Sequence, residues 1–466
     1  MIDSRYEATK LFIKERWPLT RKVTFLLTIA LLSWLVALLL RNYVSTQASF
    51  NALFLLLLAA GWWISEAMPP FAVSLFIIGF SIYFLEDLSP AVLSQDWEKY
   101  TNTWSNPIIW ILLGGFFLAI GAQSTQLDKA FSENVLQRFG NTPKRQLLLV
   151  MLLTAVFSMF ISNTSTTVMM FIIVGPMLGA LDQDEPMRKA FALGIPAAAT
   201  VGGMGTVIGS SPNAIALGTI QAAGLSFGFA EWMAVGMPLA LVLTVLLWWL
   251  FVQRFPTRLQ ALNFKDEIEA PKVVVIRQDR WIVIGTFMLT ISLWVTQPMH
   301  GLPIAAVSFI PIVLFSVTGI VKTDDFKKLP WDTLVLIAGG LTLGVVIHDS
   351  GLAYHISQLI PAVDNTLIIL ITFGYLASGL SNIMSNTAAT SVLIPIGLTI
   401  LPNEIVMISL TIGLCASTAL ILPISTPPNA IAYANGYLQQ RDFRYAGIIL
   451  GIFAPSVIAI FLYLLF

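Results

Sequence analysis

Apolar runs with at most one charged residue alternate with polar segments along this chain, from residue 23 to its end. About 20 apolar residues in a helix cross a bilayer. Runs near that length, or longer where a break is expected, fall at 23–41, 51–66, 69–85, 106–126, 190–218, 232–253, 280–297, 303–321, 331–348, 405–436 and 445–465. The pattern predicts an all-α polytopic membrane protein with 11 transmembrane helices. Two further apolar stretches, 146–180 and 366–402, carry their polar residues in the middle. A simple spanning helix would place those residues at the bilayer centre. Both stretches are therefore expected to be re-entrant hairpins, since non-helical backbone at that depth survives only when buried in protein or lining a wet cavity. Asp128–Gly140 and Gly351–Leu359 are amphipathic and expected to lie along the membrane surface.

Composition agrees with this reading. The 466 residues are 57% hydrophobic and 11% charged, with a mean hydropathy of +0.82, whereas a soluble domain carries roughly a quarter charged residues. The net charge of zero gives no basic footprint for nucleic acid. The single Cys415 excludes a disulfide framework, and His300, His348 and His355 have no metal-ligand spacing. No nucleophile–base pair stands out, so no enzyme is expected. Residues 1–22 are polar and basic, and the charge-free Val23–Leu40 run is followed by no small-residue cleavage site. It reads as a retained first span rather than a cleaved signal. With the N-terminus in the cytoplasm, 23 of the 25 Lys and Arg fall inside, leaving Arg41 and Lys99 outside. The expectation is a bacterial inner (plasma) membrane protein with a cytoplasmic N-terminus and an external C-terminus. Treating either hairpin as a span would invert everything after it and spoil the charge count.

The chain also repeats. Residues 110–127 align with 334–352, so that Gly114-Gly115 matches Gly339-Gly340 at a spacing of 225 residues. SMFISNTSTT (158–167) aligns with SNIMSNTAAT (381–390) at 223, and GSSPNAIALG (209–218) with STPPNAIAYA (425–434) at 216. The expected organisation is an N-terminus and first span (1–50), a first repeat (51–253) with its hairpin (146–180) and broken helix (190–218), a cytoplasmic linker (254–279), and a second repeat (280–466) with hairpin (366–402) and broken helix (405–436). An odd number of crossings separates the copies, so they are expected to be inverted in the membrane. That arrangement marks secondary transporters with a site near the midplane.

Each repeat carries two polar elements inside apolar surroundings. Ser162-Asn163-Thr164 and Ser385-Asn386-Thr387 sit at the hairpin tips. A helix break there frees N–H groups, which suit an anion, and carbonyls, which suit a bare cation. An Asn amide serves both, donating through its nitrogen and accepting through its oxygen. Gly209-Ser210-Ser211-Pro212-Asn213 and Ser425-Thr426-Pro427-Pro428-Asn429 fall inside long apolar runs, where proline is expected to unwind the helix. Gly202, Gly203, Gly205 and Gly209 permit close backbone approach. Residues 146–180, 190–230, 366–402 and 405–436 contain no Lys or Arg. A dianion bound among them needs co-bound cations, which couples the two binding events. The glycine pairs are expected to be packing positions, Glu66 a cap at a helix junction, and Asp349 a solvated residue. Thr167 and Thr390 are expected either to line the pocket or to bond back within the hairpin.

These motifs, with the junction WWISEAMP (62–69), resemble the divalent anion/sodium symporter family over essentially the whole chain. The resemblance implies a homodimer with a scaffold domain and a transport domain that moves like an elevator. Carried over by position, it implies one Na⁺ held by Ser158, Ser162, Asn163 and Gly209. A second would be held by Ser381, the Met384 carbonyl, Asn386 and Ser425. Substrate carboxylates would meet Ser162, Asn163, Thr164 and Ser210 on one side, and Ser385, Asn386, Thr387, Thr426 and Pro427 on the other. The expected function is symport of a C4-dicarboxylate (succinate, malate or fumarate) with two or more Na⁺. A sodium-independent exchanger and a sodium-coupled tricarboxylate or sulfate carrier are the alternatives.

Overall fold

The computed structural model describes residues 19–44, 46–84, 97–138, 142–257, 259–262, 277–359 and 365–466. The polar N-terminus up to residue 18 and residues 263–276 of the expected linker lie outside these. The main helices are α1 (Leu19–Leu39), α2 (Gln47–Ser65), α3 (Pro70–Phe84), α4 (Pro107–Ser124), α5 (Leu127–Arg138), α6 (Pro143–Ser158), α7 (Asn163–Ala180), α8 (Pro186–Gly202), α9 (Ser211–Ala222) and α10 (Phe229–Arg254). They continue as α11 (Arg277–Val295), α12 (Ile304–Val317), α13 (Trp331–Asp349), α14 (Leu352–Leu359), α15 (Thr366–Ser381), α16 (Asn386–Ile400), α17 (Ile405–Ala416), α18 (Pro427–Ala434) and α19 (Gln440–Leu465). No strand occurs among the described residues.

Among the described residues, seven helical segments are long and apolar enough to cross a membrane. Six coincide with expected spans, and the seventh is α7, the second arm of the first hairpin. The expected spans 69–85 and 303–321 are the shorter apolar helices α3 and α12. α1 buries only Ser33 and Ala37, so nearly its whole apolar surface is free to face lipid. Both expected hairpins break where the polar tips stand, between Ser158 and Asn163 and between Ser381 and Asn386. Both long apolar runs with a Pro-Asn motif also break, between α8 and α9 and between α17 and α18. The breaks reach further back than the prolines. Pro212, Pro427 and Pro428 stand in the first turn of the restarted helix, where the missing N–H has no partner to lose.

The elements from α2 to α10 recur in the same order from α11 to α19. They also pack reciprocally. α3 lies on α13 while its counterpart α12 lies on α4. α7 packs on α18 while α16 packs on α9, and α8 on α18 while α17 packs on α9. The glycine pairs make the first of these contacts close. A Cβ on Gly114 would lie 2.9 Å from the Ser308 carbonyl, and one on Gly339 would lie 2.3 Å from Ser74 Cβ. They are packing positions, as expected. The turn from α4 into α5 uses Gln126 at φ 49°, and the matching turn from α13 into α14 uses Gly351 at φ 74°. The same left-handed turn is needed twice, and only one copy supplies glycine for it.

Glu66 closes α2 in a left-handed conformation, its N–H bonding back to the carbonyls of Trp62 and Trp63, which is the cap expected. Asp349 is exposed, as expected. It pairs with Lys99 at 3.4 Å and with His348 Nδ1 at 3.0 Å, because the end of α13 meets the short helix Glu98–Thr101.

Gly339→Ala should lower the melting temperature, at a cost of about 1–3 kcal/mol for overpacking. Gly79→Ala on α3, where nothing lies within 4 Å of the new carbon, should instead stabilise by up to about 1 kcal/mol through helix propensity. Thermal denaturation of the purified variants compares the two.

Candidate substrate and cation site

The first hairpin tip is a three-residue turn, Met159–Ile161, between two helices. Ser162 caps the second arm, its hydroxyl accepting from the Ser165 N–H at 3.2 Å. Ser385 does the same for α16, accepting from Ala388 N–H at 3.2 Å. Both serine hydroxyls are thus committed to starting the helix whose first N–H groups belong to Asn163 and Thr164, or to Asn386 and Thr387. Ser162, Thr164 and Ser385 are exposed, and Asn163, Asn386 and Thr387 are half-buried. Thr167 and Thr390 donate to the Asn163 and Asn386 carbonyls at 2.8 and 2.9 Å. Of the two roles left open for them, the structure selects back-bonding.

Four groups converge behind the first tip. Ser158, fully buried at the end of α6, donates to the Ala199 carbonyl at 2.7 Å. The end of the Asn163 amide lies 2.6 Å from Ser158 Oγ and 3.2 Å from the carbonyls of Gly209 and Ala199. With Nδ2 facing them, Asn163 shares its two N–H hydrogens among the three. With Oδ1 facing them, four oxygens meet without a proton between three of them, a donor set suited to a hard cation. Glycine is required for this closeness. A Cβ on Gly209 would lie 2.9 Å from the Ser158 carbonyl, one on Gly203 2.4 Å from Asn163 Oδ1, and one on Gly202 2.4 Å from Ala155 Cα. Ser158, Asn163 and Gly209 are therefore brought together as expected. Ala199 joins them through its backbone, which a side-chain motif cannot reveal.

The second tip is arranged differently. Ser381 Oγ and Asn386 Oδ1 are buried without a hydrogen-bond partner. Met384 is buried beside them in the chain. The Ser425 hydroxyl makes no hydrogen bond to Asn386 Oδ1. It donates to Asn382 Oδ1 at 2.9 Å and accepts from the Leu422 N–H at 3.0 Å. Asn382 lies inside the repeated stretch 381–390 but is not among the expected site residues. Its only signal in the sequence is that the first copy has Met159 in its place.

Side chains of the restarted helices hold the loops between the broken halves. Asn213 Nδ2 donates to the carbonyls of Gly203 and Thr206 at 2.8 and 2.7 Å. Asn429 Nδ2 donates to Leu422 at 3.0 Å and Leu420 at 3.4 Å. Thr206 Oγ1 donates to the Met159 carbonyl, tying the first loop to its hairpin. Thr426 caps α18 by accepting from Asn429 N–H at 3.4 Å. Ser210, at the start of α9, makes no such cap, and Pro427 is exposed. A separate cavity of about 610 Å³ lies between α9, α13 and α16, with Thr219, Gly340, His348 and Ser391 in its wall. None of the expected site residues lines it.

An all-helical membrane chain interrupted four times by polar, non-helical turns is built as a transporter. The fold is similar to that of the YdaH transporter of Alcanivorax borkumensis, with a TM-score of 0.54 at 13% identity over 87% of this chain and 98% of that one. The profile of the citrate transporter family matches residues 60–419. The chain belongs to that family, among the divalent anion/sodium symporters its motifs resemble, and is a transporter rather than an enzyme. It is 28% identical over 447 residues to the sodium-dependent dicarboxylate transporter SdcS of Staphylococcus saprophyticus, covering 87% of this chain and 84% of that one. It is 31% identical over 379 residues to an uncharacterized transporter of Haemophilus influenzae, covering 76% and 80%.

Asn213→Ala should destabilise the protein by about 1–3 kcal/mol, the cost of stranding buried carbonyls. Thr167→Val removes only a bond back along its own helix and should cost under about 1 kcal/mol. Melting temperatures in detergent separate the two.

Proposed function

We propose that this transporter carries a C4-dicarboxylate such as succinate, malate or fumarate together with two or more Na⁺. The observation that carries the reading is the cluster of polar groups behind the first hairpin tip, Ser158, Asn163, Ala199 and Gly209, with the unpartnered Ser381 Oγ and Asn386 Oδ1 at the matching positions of the second copy. These are neutral, hard oxygen donors, and no Lys or Arg shares their segments. The charge of a dianion is then balanced by the co-bound cations, so each species raises the affinity of the other. Relatives named as sodium-dependent dicarboxylate transporters support the same pairing.

In this reading Asn163, Thr164 and Ser210 meet one carboxylate, and Asn386, Thr387, Thr426 and Pro427 the other. Ser162 and Ser385 act as caps that set the tip geometry. Met384 and Ser425 offer carbonyls to the second sodium. The two repeats lie inverted in a bacterial inner membrane, N-terminus inside and C-terminus outside. The unit carrying the breaks moves as an elevator against a scaffold, in a homodimer. Two Na⁺ with a dianion is electroneutral. A third would draw on the membrane potential, about 2.3 kcal/mol per charge per 100 mV. The citrate description of the matched family favours a tricarboxylate as the second reading.

Uptake of succinate into proteoliposomes should rise with Na⁺ more steeply than first order and vanish when choline replaces Na⁺. A response flat in Na⁺ would indicate an exchanger, and citrate outcompeting succinate at equal concentration would indicate the tricarboxylate reading. Asn163→Ala and Asn386→Ala should each reduce uptake by about tenfold or more, as expected for losing a hydrogen bond to a charged group. Unchanged uptake in either variant removes the site.

A further inference from the structure

Two of the buried positions at which the hairpins differ carry a polar side chain only in the second copy. Where the first has Ala155 and Met159, the second has Ser378 and Asn382, at the same spacing of 223 residues. Asn382 is 7% exposed and three of its four hydrogen-bonding positions are used. Nδ2 donates to the Ser378 carbonyl at 2.8 Å. Oδ1 accepts from Ile421 N–H at 3.0 Å and from Ser425 Oγ at 2.9 Å. Thr418 adds a bond to Ser378 Oγ at 2.8 Å. In the first copy the hairpin holds its loop through the Met159 carbonyl, which accepts from Thr206, and through the thioether pressed on Gly205. The second loop, Ser417–Thr426, is instead fastened to its hairpin by Thr418 on Ser378 and by the Asn382 amide. That amide follows Ser381 in the chain and bonds Ser425, so it joins two of the residues proposed to hold the second sodium.

Resting on the sodium reading above, we infer that Asn382 is the positioning residue of the second sodium site. It fixes the Ser425 segment against the tip so that the Ser425 carbonyl and the unpartnered oxygens of Ser381 and Asn386 stay within reach of one cation. Asn382 does not touch the ion. Its effect falls on sodium affinity at this half-site and leaves the first half-site unchanged.

The test is Na⁺-dependent uptake by proteoliposomes holding the wild type, Asn382→Met, Ser425→Ala or both. Asn382→Met installs the residue of the first copy, and Ser425→Ala removes only the hydroxyl while keeping the carbonyl. Each single variant should raise the Na⁺ half-saturation about tenfold and flatten the sodium response toward first order, with the maximal rate largely retained. The double variant should match the stronger single, since both singles remove the bond between Asn382 and Ser425. The Na⁺-induced rise in melting temperature should shrink in parallel. If half-saturation and steepness stay at wild-type values while only the maximal rate falls, or if the two effects add, the clamp is refuted. Should Asn382→Met fail to fold, the sodium response of Ser425→Ala by itself decides between the same two outcomes. A wild type indifferent to Na⁺ would overturn the sodium reading itself and the clamp with it.

Discussion

Inside a bilayer a backbone N–H or C=O cannot turn to water, and each one left unpaired costs several kcal/mol, so every interruption of a helix has to be repaired from within the protein. This chain interrupts its helices four times and makes each repair with a short polar side chain. Asn213 and Asn429 take up loop carbonyls, Ser162 and Ser385 take the third N–H of each restarted arm, and Thr206 and Asn382 bind loop to hairpin. What these repairs leave over is the material of the site: helix ends with free donors and carbonyls that converge on one another.

Close approach is the second requirement. Carbonyls of different segments reach one point only if no side chain stands between them. Gly202, Gly203 and Gly209 meet that condition in the first copy, each facing atoms of the hairpin at distances a Cβ would make into clashes. Gly114 and Gly339 do the same away from the site, letting each copy's spanning helix lie against a helix of the other. The reciprocal contacts bind both sets of breaks into one body. A displacement of either hairpin is therefore felt by the broken helix of the opposite copy, which gives the proposed coupling of two half-sites a mechanical basis.

The copies are alike in order and unlike in detail. Gln126 and Gly351 make the same left-handed turn, Met159 and Asn382 hold the same junction, and Gly209 and Ser425 open the same loop segment. In the first copy the polar atoms satisfy one another when the Asn163 amide donates. In the second, Ser381 and Asn386 keep unpaired oxygens while Ser425 bonds Asn382. Two hairpin tips built on one pattern thus leave their polar atoms differently paired.

The sequence by itself determined the helices, the four breaks and the pairing of the copies. These depend on apolar run length, on Gly, Pro and Ser-Asn-Thr interrupting such runs, and on the recurrence of the same words at fixed spacing, all local properties of the chain. It also carried the neutral character of the site, because the absence of Lys and Arg from those segments is visible without coordinates. Tertiary structure decided the rest. The Ala199 carbonyl has no side-chain signature, Asp349 met Lys99 only because a distant short helix arrived beside it, and the choice of Thr167 and Thr390 to bond backwards depended on local helix geometry. Asn382 mattered only once the second loop folded over it. Such contacts join residues far apart in the chain, and their distances are fixed by how helices pack, which no run of letters along one helix specifies.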